Sequence, residues 1–278
     1  MIPTYESLVT DARDSAQRLV RVERDGSRAV VRMHEPDRLN VLSAVLTVQL
    51  HDELRELVAD FDVRTIVLTG SDPAFSAGGD LRLMTDFAHP MADDGEEGAA
   101  DLWRWIRGQF GGVARVIANS DKPFIAAVNG PAAGVGLAFA LSCDLLLLSD
   151  RARIVPAFGR IGLLPEVGTS WALTRRLGYQ RTFELFAGGR ILDAQEAHEL
   201  GIGNAVVAHD ALAGAVEDWC EQLEALPAHV LAMMKPLLRR AADATWEQSI
   251  AMEEFAEPIC FTTRAHRDGV AAALAKAS

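Results

Sequence analysis

The stretch Ala74-Phe75-Ser76-Ala77-Gly78-Gly79-Asp80-Leu81 follows an apolar run, Thr65 to Thr69, and a turn at Gly70 to Pro73. Small residues at Ala77, Gly78 and Gly79 let a ligand approach the backbone, and Asp80 is placed to cap a helix that starts at Leu81. The N–H groups of Ala77 and Gly78 then lie beside a positive helix terminus. A second stretch, Asn129-Gly130-Pro131-Ala132-Ala133-Gly134-Val135-Gly136, follows the apolar run Lys122 to Val128 and opens another helix. It presents N–H groups and a dipole end in the same way. Singly, each turn reads as tight packing at a strand-to-helix junction, and neither has the GxxxxGK[ST] or GxGxxG spacing of a phosphate cradle. Together they supply two backbone donors that can meet at one oxygen, as stabilisation of a thioester oxyanion or enolate requires.

Working outward, Leu19 to Glu23 and Arg28 to His34 alternate valines around Asp25-Gly26 and predict a hairpin. Ser43 to Phe61 has apolar residues at helical spacing (Leu46, Leu50, Leu54, Leu57, Phe61) with Ser43 as N-cap. Val135 to Ser142 predicts a helix and Asp144 to Leu148 a buried strand. Strands alternating with helices imply crossover units and a mostly parallel sheet covered on both faces. Beyond Thr169 the chain reads as almost all helix, interrupted by Gly188-Gly189 and a short strand at Asn204 to Val207. The acidic segment His89 to Gly98 lacks periodicity and reads as a solvated loop. Residues 1–18 read as an N-terminal extension, 19–205 as the α/β core and 206–278 as a helical C-terminal region.

Composition excludes several classes. Over 278 residues the net charge of −12 argues against a nucleic-acid partner, because phosphate binding needs a Lys/Arg-rich face. No apolar run is long enough for a membrane span and Met1 to Asp14 is polar, so a cytoplasmic location is expected. Cys143, Cys220 and Cys260 show no CxxC spacing and read as buried free thiols. The seven histidines form no HExxH, so no metal is expected.

The sequence resembles the crotonase family, also called the enoyl-coenzyme A hydratase/isomerase family. The match rests on Asn40-Val41-Leu42-Ser43, Ile66-Val67-Leu68-Thr69-Gly70, Ala74 to Leu81, Ala126 to Gly134, Cys143-Asp144 and Ile161-Gly162-Leu163-Leu164-Pro165, in that order. The resemblance implies a spiral of ββα repeats with a C-terminal helical trimerisation region, a homotrimer or hexamer, and a coenzyme A thioester as substrate with no bound cofactor. It assigns the oxyanion N–H groups to Ala77 and Val135. It places Ser76, Ala77, Gly78, Gly79, Asp80, Gly134 and Phe158 against the substrate.

Hydratases of this family carry two carboxylates that position water, and those positions fall here on Ala138 and Phe158. Neither moves a proton. One acid is close by, Glu166 in Leu164-Pro165-Glu166-Val167-Gly168-Thr169. Its bland reading is a helix-terminus acid. Its catalytic reading is the single base resembling that of the family's enoyl-CoA isomerases, since one carboxylate suffices to move a double bond. The alternatives are a hydratase-like enzyme activating water with Glu166 alone, a hydrolase or decarboxylase on the same oxyanion scaffold, and a non-catalytic acyl-CoA-binding relative. Trp103, Trp105 and Phe110 read as core residues before acyl-tunnel ones. Asp144 reads as structural, and Lys235, Arg264, Arg267 and Lys276 are candidate cations for coenzyme A phosphates.

Overall fold

The computed structural model describes residues 4–277; the first three residues of the expected extension lie outside them. β1 (Val20–Asp25) and β2 (Arg28–Met33) pair antiparallel as the expected hairpin. Period-two alternation sends Ala29, Val31 and Met33 into the main core and Val30 to the opposite face of the sheet. Ser43 accepts the Leu46 N–H at 3.2 Å and starts helix Ala44–Ala59, which buries Leu46, Leu50, Leu54 and Leu57. Phe61 does not continue that stripe. The helix stops at Ala59, Asp60 Oδ1 accepts the Asp62 N–H in a tight turn, and Phe61 is left fully exposed.

The remaining strands are β3 (Thr65–Gly70), β4 (Phe124–Val128), β5 (Pro131–Ala133), β6 (Leu145–Ser149), β7 (Arg153–Val155), β8 (Leu192–Asp193) and β9 (Ala205–Val207). Together with the first hairpin, four of them form a sheet in the order β1-β2-β3-β4-β6-β9, parallel except for that hairpin, and β5-β7-β8 form a second sheet. The central strands are apolar throughout because both faces are covered. Helices Ala44–Ala59, Gly111–Asn119 and Gly134–Ser142 pack on one side. On the other, helix Leu212–Glu224 sets Leu212, Val216 and Cys220 against Val67, Ile125, Ala127 and Leu147. Each such fully buried aliphatic side chain contributes about 1.5–3 kcal/mol.

Helix Tyr5–Asp14 of the expected extension is docked, with Leu8, Val9 and Ala12 inside the main core. The acidic segment expected to be a loop is helical, over His89–Asp93 and Gly95–Trp105. Met91 is buried there, and Glu96 and Glu97 sit in a first helical turn, where carboxylates favour the dipole. Cys143 and Cys220 are buried and Cys260 is half-buried, all as free thiols. Burial pushes Cys143 well above the ordinary thiol range and Cys220 up to about 11. At the C-terminus, helix Ala228–Ala241 lies on the body, whereas helix Trp246–Phe261 buries none of its residues and exposes Trp246, Phe255 and Phe261. Among the described residues no helix is long and apolar enough to cross a membrane.

Candidate active site

The first glycine-rich turn is held from below by Leu39 and Asn40, which adopt left-handed φ values of 55° and 53°. Asparagine tolerates that region better than most side chains. Asn40 Nδ2 donates to the Ser71 and Ala74 carbonyls, both at 2.7 Å, and Asn40 Oδ1 accepts the Glu35 N–H at 2.9 Å. The reversed backbone also aims the Leu39 carbonyl at the turn, where it accepts the Ala77 N–H at 2.8 Å. The expected donor Ala77 is therefore already engaged. The Gly78 N–H donates to Ser76 Oγ at 3.1 Å, and Ser76 Oγ itself donates to the Asn40 carbonyl at 2.8 Å. The next N–H, that of Gly79, makes no hydrogen bond among the described residues. The turn thus offers a donor two positions beyond the expected one.

Asp80 caps the following short helix by accepting the Arg82 N–H at 2.9 Å, and it takes Arg38 Nη2 at 2.6 Å. Buried and paired, this carboxylate anchors the turn and is not placed as a free base.

The two turns are laced together. The Phe75 and Ser76 N–H groups both donate to the Pro131 carbonyl at 3.1 Å, and the Ala133 N–H donates to the Ser76 carbonyl at 2.9 Å. Glycine is required where they touch: a Cβ on Gly78, whose φ is 87°, would lie 2.6 Å from the Ala133 carbonyl oxygen, and one on Gly136 would lie 2.6 Å from Ser76 Cβ. Gly134, at φ 49°, swings the chain into helix Gly134–Ser142. The Val135 N–H falls in the first turn of that buried helix, where backbone donors have no intrahelical partner, and it has no acceptor among the described residues.

Ala138 and Phe158 are both buried. The Phe158 ring lies against Gly134 and is tilted over Phe186 with centroids 6.1 Å apart, so an apolar wall stands where family hydratases hold an acid. Glu166 is partly buried and its carboxyl has no side-chain partner among the described residues; burial alone raises it above the ordinary carboxylate range. Its carbonyl accepts the Thr169 N–H at 3.0 Å and Thr169 Oγ1 at 2.8 Å. Val167 and Gly168 follow in left-handed conformation, at φ 56° and 82°. A β-branched residue held there stores roughly 1–3 kcal/mol of strain. Val167, Gly168 and Ala138 share the wall of a cavity of about 500 Å³.

Of the aromatic residues expected in the core, Trp105 and Phe110 are there, edge to face with centroids 5.7 Å apart. Trp103 is not: it is 60% exposed and faces the same cavity. Lys235 is not a free cation either. Its buried Nζ donates to the Ile117 and Lys122 carbonyls at 2.8 and 2.9 Å and pairs with Asp144 at 2.8 Å. Asp144 also pairs with Arg239 at 2.9 Å and accepts the Phe124 N–H at 2.8 Å, a structural role. Arg264 pairs with Asp268. Among the described residues no group of three or more His, Cys, Asp or Glu is placed to hold a metal ion.

The family model for enoyl-CoA hydratase/isomerase matches residues 23–276. The chain is 34% identical to 4-chlorobenzoyl coenzyme A dehalogenase-2 of Arthrobacter sp, over 82% of this chain and 80% of that protein. It is 31% identical to the 1,2-epoxyphenylacetyl-CoA isomerase of Escherichia coli K12, over 88% and 91% of the two chains. Among solved structures it is similar to the enoyl-CoA hydratase/isomerase of Cupriavidus metallidurans CH34, with a TM-score of 0.83, 30% identity, and coverage of 94% of this chain and 95% of that one. The ordered strands, the laced glycine-rich turns and these matches agree: the chain belongs to the enoyl-CoA hydratase/isomerase, or crotonase, family.

Proposed function

We propose that this chain is an enoyl-CoA isomerase that moves a double bond between C3 and C2 of an acyl thioester, with Glu166 as its single base. The observation that carries this reading is the pairing of a partly buried Glu166, without a side-chain partner among the described residues, with apolar residues, Ala138 and Phe158, at both positions where hydratases carry acids. Family enzymes use coenzyme A thioesters and need no bound cofactor. In the proposed step the Glu166 carboxylate removes a proton from C2 of a 3-enoyl thioester. The electron pair moves into the thioester carbonyl, and the resulting dienolate oxygen is held by the Gly79 and Val135 N–H groups. Glu166 then returns the proton at C4, giving the 2-enoyl thioester. Burial suits this role, because a base that binds and releases one proton works best with a pKa nearer the working pH.

Purified protein given 3-enoyl and 2-enoyl thioesters separates this reading from its rival. Migration of the 3-enoyl double bond supports it; hydration of the 2-enoyl thioester without migration overturns it in favour of water activation by Glu166 alone. Chloride release from 4-chlorobenzoyl-CoA would instead align the chain with its dehalogenase relative. Binding of thioesters with no turnover of any kind would make it a non-catalytic relative. A structure with a saturated acyl-CoA bound tests the donor assignment, with the thioester oxygen expected within hydrogen-bond distance of Gly79 N and Val135 N. The exposed Trp246, Phe255 and Phe261 support self-association through the C-terminal helices, and a solution mass of three or six chains is the expected result.

A further inference from the structure

The cavity beside Ala138 carries a charge pattern that the proposed proton transfer does not use. It is lined by the guanidinium-bearing Arg107, Arg115 and Arg239 among apolar residues that include Trp103, Ala138 and Trp171, and by no Asp or Glu. In a chain of net charge −12 this is the reverse of the general balance. Arg107 lies over the Trp103 ring, 5.3 Å from its centroid, and Arg115 Nη1 donates to the Arg107 carbonyl at 2.8 Å. Neither has a carboxylate partner among the described residues. Arg239 reaches the cavity from helix Ala228–Ala241; Asp144 and the Ser142 carbonyl hold one end of its guanidinium, while its buried Nε–H is unpartnered. The helix that carries Arg107 contains a wide π turn over Ile106–Phe110, which sets Ile106 and Arg107 on the cavity wall.

A thioester held at the two glycine-rich turns would run its acyl chain past Ala138 into this space. We infer that the cavity receives the far end of the acyl group and selects acyl chains that terminate in a carboxylate. The inference rests on the thioester site proposed above but not on the isomerase chemistry. The methylene chain meets Trp103, Ala138 and Trp171, and the terminal carboxylate replaces its water with charge-assisted hydrogen bonds from the arginines. Monocarboxylic chains of the same length leave the Arg107 and Arg115 guanidiniums without a counter-charge.

The test uses saturated thioesters, which bind without turnover, so its outcome does not depend on Glu166. Monothioesters of straight-chain dicarboxylic acids, from about four to eight carbons, are compared by calorimetry with monocarboxylic thioesters of equal length. At low ionic strength one dicarboxylic length is expected to bind about tenfold more tightly than its partner, the ratio typical of one charged hydrogen bond. The ratio should shrink as salt is raised. Arg107→Gln with Arg115→Gln should bring the two members of the pair together, and Lys at both positions should restore part of the difference. Ratios near one at every length overturn the inference. So does a Gln variant in which both members weaken by the same factor, because that assigns the arginines to the coenzyme A phosphates. A preserved ratio beside failed double-bond migration would overturn the isomerase reading alone.

Discussion

Glu166→Gln is the perturbation that separates a catalytic carboxylate from a helix-terminus acid. Glutamine keeps the size and shape of the side chain, and because the Glu166 carboxyl has no side-chain partner among the described residues, no ion pair is broken. What is lost is proton transfer. A positioned general base is worth roughly 10²–10⁴ in rate, or about 2.7–5.5 kcal/mol of barrier. The expected result is that fall in kcat for 3-enoyl thioesters with little change in binding of saturated ones. Stability should move the other way. Burial raises the folded-state pKa above its unfolded value, so the folded protein binds the proton more tightly. The associated stability is complete below the unfolded pKa of about 4.3 and is lost as pH rises through the folded value. At neutral pH the variant should therefore melt at a higher temperature than the parent, and the difference should vanish in acid. Calorimetric melting at several pH values, beside single-turnover assays, reads both effects. Unchanged turnover with a lower melting temperature at neutral pH would refute the reasoning and leave Glu166 as a stabiliser of helix Thr169–Leu177.

Other consequences are equally direct. The pH profile of kcat/KM in the parent should lose activity on the acid side through a group titrating above the ordinary carboxylate range, since the base must be ionised; a limb unchanged in Glu166→Gln assigns it to another group. Lys235→Met removes one partner from a buried pair with Asp144 and should destabilise the fold by about 3–5 kcal/mol, read from urea denaturation midpoints; an unaltered midpoint would show that the remaining Arg239 suffices. Gly78→Ala meets both a φ of 87° and the Ala133 carbonyl at 2.6 Å, and displacement of reacting groups by about 1 Å costs on the order of 10²-fold in rate. Turnover within twofold of the parent would mean that the turns tolerate separation.

Much of the architecture was legible because local signals and the global fold agreed. Val20 to Met33 alternates as a hairpin should, Ser43 and Asp80 cap the helices they precede, and both glycine-rich turns stand where chain order put them. Where the structure differs from the expectations, the cause is shared: dependence on contacts distant in sequence. Nothing near Ala77 signals that the Leu39 carbonyl will occupy its N–H; that follows from two consecutive left-handed residues in another loop. Lys235 read as a free cation because its acceptors, the Ile117 and Lys122 carbonyls and Asp144, lie far upstream. The acidic segment read as a loop because its charges outweighed the buried Met91 and Gly98 that fix it. The arginine-lined cavity was invisible for the same reason: Arg107 and Arg239 meet only in the folded chain.

The lacing of the two turns through Phe75, Ser76, Pro131 and Ala133 bears on how such a protein acquires new chemistry. The Gly79 and Val135 N–H groups, the donors proposed above for the thioester oxygen, sit on turns that form one hydrogen-bonded body, so a lesion in either turn is expected to disturb both. Ala138, Phe158 and Glu166 stand outside that lacing, on a helix wall, a loop and a strained turn. None of them contributes a hydrogen bond to that lacing. On the proposed mechanism, the part that holds the charge of the intermediate is thereby distinct from the part that decides where its proton goes, and the second is the more open to substitution.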